Sequence, residues 1–469
     1  DEPEQAQPEA TPAAENFRIT DDNLGVGSLR EKFRRNMDAI NTLQAIELEG
    51  RTATPAEQEI LSRYVGWGGL PQAFDENNGE WTNEFLELKA ALTPEEYASA
   101  RTSTLNAHYS RPAIVRAIYE AVGNMGFKTG NILEPSCGVG NFFGMLPESM
   151  AASKLYGVEL DSVSGRIAQQ LYPKASITIR GFEKTGFPDG FFDLAIGNVP
   201  FGNYSLADRR YDKEHLLIHD YFFAKTIDKV RAGGVIAFVT SNGISGGTMD
   251  KKDRRAREYI ARRCDLLGAV RLPSNASLAN AGTEAGMDIV FLQKRDMPRS
   301  LDEPLPEWTE VDTVEEHTYT GGDGREKRGF VTMNRYFQAH PEMVLGNLEI
   351  TSGPFGPQLE CRAIPGADLA QQLHEAVSYI HGEYREAAPP ELDENIGEME
   401  IRSIPADPSV KNYSYAIVDG EVYYRENSVM VKPALTASAK ERVMAMIGLR
   451  DCVRELIHLQ MNEYTTDSA

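Results

Sequence analysis

The sequence predicts an α/β fold in which a mostly parallel, seven-stranded sheet carries helices on both faces. Seven short apolar runs follow residue 112, and helical stretches separate most of them. Such alternation is typical of parallel strands joined by crossover helices. Polar turns follow the first and fourth runs, at the sheet edge where open α/β sheets bind ligands. The predicted strands cover residues 131–133, 154–158, 176–179, 194–196, 235–239, 267–271 and 289–293.

The rest of the chain predicts smaller parts around this sheet. A chain of 469 residues is too long for one ordinary domain. The low-complexity acidic start predicts a disordered linker, and Thr-Pro capping boxes at Thr54 and Thr93 predict helices before the sheet. The predicted division is a linker (1–25), a helical region (26–107), a sheet domain (108–297) and a smaller α+β region (298–469).

Three further elements are expected in the α+β region. Helical patterns cover 367–387 and 440–461, and an Asp-Gly pair between strands 414–418 and 421–424 predicts a hairpin. In the helical region, three glycines surround a tryptophan in segment 64–70. We interpret that segment as a hydrophobic plug between helices, with a nucleic-acid contact as the alternative.

Composition excludes several classes of protein. The net charge of −22 argues against a simple nucleic-acid coat protein, although basic residues cluster between 251 and 263 and a local positive cleft stays compatible with DNA. The four cysteines are widely spaced, so we predict neither a disulfide scaffold nor a metal site. No apolar run is long enough to cross a bilayer. The isolated cysteines favour a reducing cytoplasm, and we expect no membrane partner.

The first polar turn predicts a cofactor that contains a nucleoside. Residues 132–143 read Ile-Leu-Glu-Pro-Ser-Cys-Gly-Val-Gly-Asn-Phe-Phe. Gly138 and Gly140 let the backbone turn tightly and approach a ligand, and Glu134 at the end of the strand can hold an ammonium group. A dinucleotide site normally has a third Gly or Ala, where this chain has Phe143. The turn therefore favours S-adenosylmethionine (SAM).

Two later segments complete the predicted cofactor site. Glu159 ends the second strand, about 20 positions after the glycines, and can bind the hydroxyls of a ribose. Phe182 and Glu183 follow the third strand and could flank an adenine ring, although a core Phe and an exposed Glu explain them equally well. Neighbouring residues assigned to the same site are Pro135, Cys137, Asn141 and Leu160.

The second polar turn predicts a clamp for a planar amino group. Asn198-Val199-Pro200-Phe201 follows the fourth strand. An exocyclic amine is a poor nucleophile, because its lone pair is delocalised into the ring. The Asn198 side-chain oxygen and the Val199 carbonyl could accept the amino hydrogens, and Asn198 also borders the cofactor. Phe201 could stack on an extruded base.

These two motifs, in this order, resemble the gamma group of amino methyltransferases, which includes the adenine methylases of type I restriction systems. Asn-Val-Pro-Phe is similar to that group's Asn-Pro-Pro-Tyr/Phe motif. A closer resemblance, over about residues 26–465, is to the methylase region of very large methylase–helicase proteins of phages and conjugative elements. The segments that carry these resemblances are 64–70, 108–112, 267–273, 281–289, 336–346 and 412–428.

The resemblance implies a Rossmann-like, SAM-dependent methyltransferase fold and transfer to the N6 amine of a flipped adenine in duplex DNA. It places Tyr109 over the cofactor, and it implies DNA recognition, or a link to a further domain, in region 298–469. It also implies an attached helicase region, although the sequence has no Gly-x-x-x-x-Gly-Lys-[Ser/Thr] loop. One departure is Val199, where the group has Pro: the loop loses rigidity and gains an N–H.

Two alternatives stay open at this level. A protein-glutamine methyltransferase would use the same clamp, and a non-catalytic SAM- and DNA-binding module could guide a helicase. Segment 203–213, after the clamp, mixes aromatic and basic residues and would either touch DNA phosphates or form a solvated loop. His219 and Asp220 precede an apolar helical run, which favours a structural role for that pair.

Overall fold

The computed structural model describes residues 15–23, 25–104, 110–242, 247–276, 286–320, 325–353, 356–386, 403–405, 410–411, 413–418, 420–426, 429–433, 435 and 437–461. Contacts between residues divide the chain into two compact units, Asp1–Ala387 and Ala388–Ala469. The predicted four-part division at residues 25, 107 and 297 stays a prediction, and its last region, 298–469, includes parts of both units.

The first unit is built around the predicted seven-stranded sheet. Its strands are β1 (Asn131–Glu134), β2 (Lys154–Glu159), β3 (Ser176–Ile179), β4 (Phe192–Asn198), β5 (Val230–Ser241), β6 (Cys264–Arg271) and β7 (Met287–Lys294). Their order is β3-β2-β1-β4-β5-β7-β6, and β7 runs antiparallel to both β5 and β6. The other neighbouring strands are parallel, so the carboxyl ends of β1, β2 and β4 lie at one edge. The prediction of a mostly parallel sheet is confirmed.

Helices cover this sheet and extend it at the amino-terminal side. The bounds of the first ten helices are α1 (Leu29–Glu49), α2 (Pro55–Leu61), α3 (Thr82–Ala91), α4 (Pro94–Ser103), α5 (Pro112–Asn124), α6 (Asn141–Gly144), α7 (Ser162–Leu171), α8 (Ile218–Lys229), α9 (Gly247–Asp250) and α10 (Arg255–Arg263). Helix α7 packs on β2 and β3, helix α8 packs on β5, and α10 packs on α8 and β6. Helices α1, α2 and α4 contact α7.

The amino-terminal helices begin where their caps predict. The Thr54 and Thr93 side chains each accept the backbone N–H of the Glu three residues later, and the carboxylate of that Glu accepts the backbone N–H of the Thr. Trp67 is buried against the rings of Phe33 and Phe74. Segment 64–70 therefore packs as the predicted hydrophobic plug.

Two hairpins and two helices complete the first unit. They are β8 (Val311–Thr320) with β9 (Glu326–Asn334), β10 (Gly346–Gly353) with β11 (Gly356–Ala363), α11 (Arg335–Ala339) and α12 (Leu369–Ser378). The expected helix over 367–387 is wrong in its second half. The chain leaves the helix after Ser378 because Tyr384 packs at the sheet, where its hydroxyl donates to Asp193 Oδ1 over 3.1 Å and its ring stacks on Arg231.

The second unit contains a small antiparallel sheet and one long helix. The sheet order is β12-β15-β14-β13, with β12 (Ser403–Pro405), β13 (Tyr415–Val418), β14 (Glu421–Glu426) and β15 (Val429–Val431). The predicted hairpin is β13–β14, and the predicted last helix is α13 (Ala437–Met461). Met430 and Ala416 form the buried centre of this sheet. In neither unit is any described helix both long and apolar enough to cross a membrane.

Candidate active site

The glycine turn lies between β1 and α6 at the carboxyl edge of the sheet. Gly138 and Gly140 have φ angles of 54° and 82°, in the left-handed region that favours glycine. A Cβ on Gly140 would overlap the ring of Tyr172, so the turn needs glycine there for space as well. The Cys137 N–H donates to the carbonyl of Val158 over 2.9 Å, which ties the turn to β2. Helix α6 begins at Asn141, as expected.

Glu134 is a buried carboxylate at the end of β1. Its side chain is 2% exposed, and its Oε2 has no hydrogen-bond partner among the described residues. Burial, reinforced by the charge of Glu159, raises the pKa of Glu134 well above its ordinary value. A buried carboxylate with an unused acceptor suits a bound ammonium group, which would restore its ionised form.

Glu159 lies beside it at the end of β2. Its two oxygens accept the N–H groups of Gly138 and Asp161, each over 2.7 Å. Burial and the nearby charge of Asp161 raise the pKa of Glu159 to about 7, against the opposing effect of those two bonds. The two neighbouring carboxylates make this edge an acceptor-rich place for a ligand that brings hydrogen-bond donors and positive charge.

Asn198 ends β4, next to the glycine turn. The Ser136 hydroxyl donates to the Asn198 carbonyl over 2.8 Å, which joins the turn directly to the predicted clamp. Gly197 precedes Asn198, and a Cβ there would lie 3.2 Å from Cγ of Glu134. Glycine at 197 therefore lets Glu134 and the clamp lie side by side.

Val199 extends the sheet by one hydrogen bond. Its N–H donates to the carbonyl of Val239 on β5 over 3.0 Å, and its side chain is buried. A proline at this position could not make that bond. Val199 has an N–H that the first Pro of Asn-Pro-Pro-Phe would lack, and this N–H is paired within the sheet. The hydrogen bond to β5 supplies rigidity that the Pro ring would otherwise give. Phe201 is also buried, and Pro200 is partly exposed.

The remaining predicted cofactor residues occupy different surroundings. Phe182 is buried, with its ring centroid 5.1 Å from that of Phe222. Leu160 is 73% exposed beside Glu159, whereas the Glu183 side chain is mostly buried. Pro135 and Asn141 are buried in the glycine turn. Tyr109 lies outside the described residues.

Sequence reasoning missed three contributors to this edge. Ser136 and Gly197 bring the turn and the clamp together, and Asp161 caps α7 by accepting the Ser164 N–H over 2.8 Å. A glycine just before the polar end of a strand is a signal for a close approach and could have indicated Gly197. The described residues contain no cluster of His, Cys, Asp and Glu suited to a metal ion.

Comparisons with known proteins point to viral and phage relatives. No family model matches the chain. Defense against restriction protein B of Escherichia phage P1 is 30% identical over 287 residues, which cover 60% of this chain and 11% of that protein. Modification methylase CviBIII of Paramecium bursaria Chlorella virus NC1A is 27% identical over 130 residues, 27% of this chain and 34% of that protein. The chain thus spans well under half the length of these relatives.

A second viral enzyme and two solved structures are also similar. Type II methyltransferase M.CvrRI of Paramecium bursaria Chlorella virus XZ-6E is 37% identical over 84 residues, 18% of this chain and 21% of that protein. A type I restriction–modification methyltransferase subunit from Streptococcus thermophilus matches 57% of this chain and 79% of its own, at 12% identity and a TM-score of 0.33. A modification subunit of a type I restriction enzyme from Vibrio vulnificus matches 71% of this chain and 90% of its own, at 16% identity and a TM-score of 0.34.

The strand order gives the fold independently of these scores. An open sheet with the order 3-2-1-4-5-7-6 and a reversed seventh strand is the arrangement of class I SAM-dependent methyltransferases. The chain therefore has the fold of class I SAM-dependent methyltransferases, and its sequence is similar to two viral methylases and to a phage restriction-defence protein.

Proposed function

We propose that the chain transfers a methyl group from SAM to the N6 amine of an adenine flipped out of DNA. The observation that carries the proposal is the junction of the two motifs. Ser136 in the glycine turn bonds the carbonyl of Asn198 over 2.8 Å, so a cofactor on the turn and an amine at the clamp would be neighbours. The similarity to two viral methylases supports the same reaction class.

The residues at the end of β1 and β2 would hold the cofactor. Glu134 would receive the ammonium of its methionine part, and Glu159 would accept its ribose hydroxyls. When bound, SAM supplies a methyl group on a positively charged sulfur. The glycine turn brings backbone close to the ligand, and the other predicted contacts are Pro135, Cys137, Gly138, Gly140, Asn141, Leu160, Phe182 and Glu183, with Tyr109 added by resemblance.

The clamp would bind and orient the amine. The Asn198 side-chain oxygen and the Val199 carbonyl would hold one amino hydrogen each, which draws the nitrogen toward tetrahedral geometry and frees its lone pair. Phe201, beside them, would stack on the base. As the nitrogen–methyl bond forms, the bond between the methyl carbon and sulfur would break and leave a neutral thioether. No strong base is needed, because the amine becomes strongly acidic only as the new bond forms, and its proton would then pass to solvent. The protein's main contribution is orientation of the amine.

The choice of adenine rests on the gamma-group order, with the cofactor turn before the clamp. The position of Val199 in the β4–β5 ladder supports a working clamp rather than a non-catalytic module, because the substitution is accommodated without an unpaired N–H. The match to a small part of a much longer phage protein supports a place in a larger methylase–helicase protein.

An Asn198→Ala variant tests the clamp. We expect its methylation rate on duplex DNA to fall by at least about 100-fold, as when one oriented polar group is lost from an active site, while calorimetry shows SAM binding close to that of the wild type. Asn124→Ala is the matched control, because it removes the same group from an exposed position at the end of α5, outside the proposed site. Full activity in Asn198→Ala would show that the clamp assignment is wrong.

A further inference from the structure

A buried lysine outside the predicted site bonds two segments that lie far apart in the sequence. Lys225 lies on α8, and its side chain is only 5% exposed. Its Nζ donates to the Glu183 carbonyl over 3.0 Å and to Asp208 Oδ2 over 3.2 Å. A buried ammonium is costly unless it is paired, so these two acceptors define where both segments must lie.

The two acceptors come from segments that follow two different strands of the sheet, β3 and β4. Glu183 belongs to the 3-10 turn Phe182–Lys184 after β3, which the proposed function assigns to the cofactor. Asp208 belongs to the loop 203–217, which follows the clamp and returns to α8. Tyr204 and Ile218 close this loop through a backbone bond of 2.9 Å.

The contacts around the ammonium are specific to its charge. The Phe182 ring centroid lies 5.2 Å from Nζ, within the range of a cation–π interaction. The Tyr221 hydroxyl donates to the same oxygen of Asp208 over 2.7 Å, so that carboxylate is held by two groups of α8. An apolar side chain could fill the volume of Lys225, but it could not hold a carbonyl, a carboxylate and a ring face together.

We propose that Lys225 is a positioning residue that fixes the cofactor-side turn Phe182–Lys184 and the post-clamp loop 203–217 relative to each other. The inference rests on the proposed function for the meaning of the two segments. It adds that SAM affinity and the order of the post-clamp loop depend on one buried ammonium.

Lys225→Met removes the ammonium and keeps most of the volume. Two measurements follow its effect: trypsin cleavage of the loop in the ligand-free protein, at Arg209, Arg210 and Lys213, and SAM affinity by calorimetry. We expect cleavage about tenfold faster than in the wild type, since proteolysis follows the population of the open loop, and SAM binding weakened by a similar factor.

Lys229→Met is the matched control. Lys229 lies one turn later on α8 and is also buried, but its Nζ bonds Asp189 over 2.6 Å and contacts neither Glu183 nor Asp208. We expect it to leave SAM affinity within about twofold of the wild type, as for a site that does not share partners with the one tested. Asp208→Asn serves if Lys225→Met does not fold, and it should free the loop and weaken SAM binding in the same way.

The outcomes separate this inference from the proposed function. A resistant loop in Lys225→Met, or a freed loop with unchanged SAM affinity, would overturn the inference alone. Equal losses of SAM affinity in Lys225→Met and Lys229→Met would also overturn it, because they would reflect general destabilisation of α8. A wild-type protein that binds no SAM would overturn the proposed function and, with it, the cofactor half of the inference.

Discussion

At the scale of single residues, Val199 shows what a sequence pattern can and cannot predict. The departure from Pro is visible in the sequence, and so is the extra N–H. The partner of that N–H is not visible, because the Val239 carbonyl comes from a strand 40 residues later. The bond depends on how β4 and β5 pair, which a local motif does not contain.

The two site carboxylates could be predicted as ligand contacts, but the causes of their raised pKa values could not. The sequence places Glu134 and Glu159 at strand ends. Burial raises the pKa of Glu134, and the charge of Glu159 adds to this effect because β1 and β2 are neighbours in the sheet. Burial and the charge of Asp161 raise the pKa of Glu159.

SAM affinity should increase as the pH rises from 6 to 7.5. The pKa of Glu159 is about 7 in the ligand-free protein, above the ordinary 4.5, and a ligand that donates hydrogen bonds favours the ionised form. Binding therefore releases a proton below about pH 7, and affinity should rise by up to about tenfold per pH unit there. Calorimetry in buffers of different ionisation enthalpy measures both the number of protons released and the SAM affinity.

The same shift has the opposite sign for the stability of the ligand-free protein. A carboxyl whose pKa is raised on folding stabilises the folded state at low pH, and that contribution is lost as the pH rises from about 4.5 through about 7.

In a Glu159→Gln control, SAM binding should be weaker and depend less on pH. Wild-type affinity that falls between pH 6 and 7.5 would contradict the role given to Glu159.

At the scale of elements, the strands were predictable because a parallel sheet is buried on both faces. Each strand then reads as a short apolar run, as 235–239 does within β5. The end of α12 was not predictable from periodicity, because the chain leaves the helix for contacts that Tyr384 makes with Asp193 and Arg231. Tertiary contacts overrode a helical pattern there.

The loop 203–217 exposes basic side chains near the proposed active-site mouth. Arg210 pairs with Asp189 and Asp228, whereas Arg209 and Lys213 are exposed and have no ion pair among the described residues. We expect the double change Arg209→Ala, Lys213→Ala to weaken DNA binding, because it removes two cations near the proposed active-site mouth. The slope of log affinity against log salt should fall by about two.

The matched control for that experiment lies at the opposite edge of the sheet. Lys128 and Lys154 are exposed near the amino ends of β1 and β2, so Lys128→Ala, Lys154→Ala removes the same charge far from the proposed mouth. Binding measured by fluorescence anisotropy at several salt concentrations distinguishes the two pairs. An equal effect of both would mean that loop 203–217 does not face DNA.

At the scale of the whole molecule, the fold class follows from the sequence and the division into units does not. Alternating helices and strands predict the sheet, but they do not predict that the segment after it belongs to the same unit. That depends on contacts between residues far apart in sequence, such as the bond from the Asn334 N–H on β9 to Asp250 on α9. All described residues of the proposed site lie in Asp1–Ala387. The chemistry we propose therefore belongs to the first unit.

The central claim is methyl transfer to adenine in DNA, and the identity of the methylated nucleoside tests it most directly. The purified protein is incubated with methyl-labelled SAM and duplex DNA free of methyladenine, and the DNA is digested to nucleosides and separated. We expect label in N6-methyl-2′-deoxyadenosine. Label in a methylcytosine or in protein, or bound SAM with no label in any DNA, would contradict it.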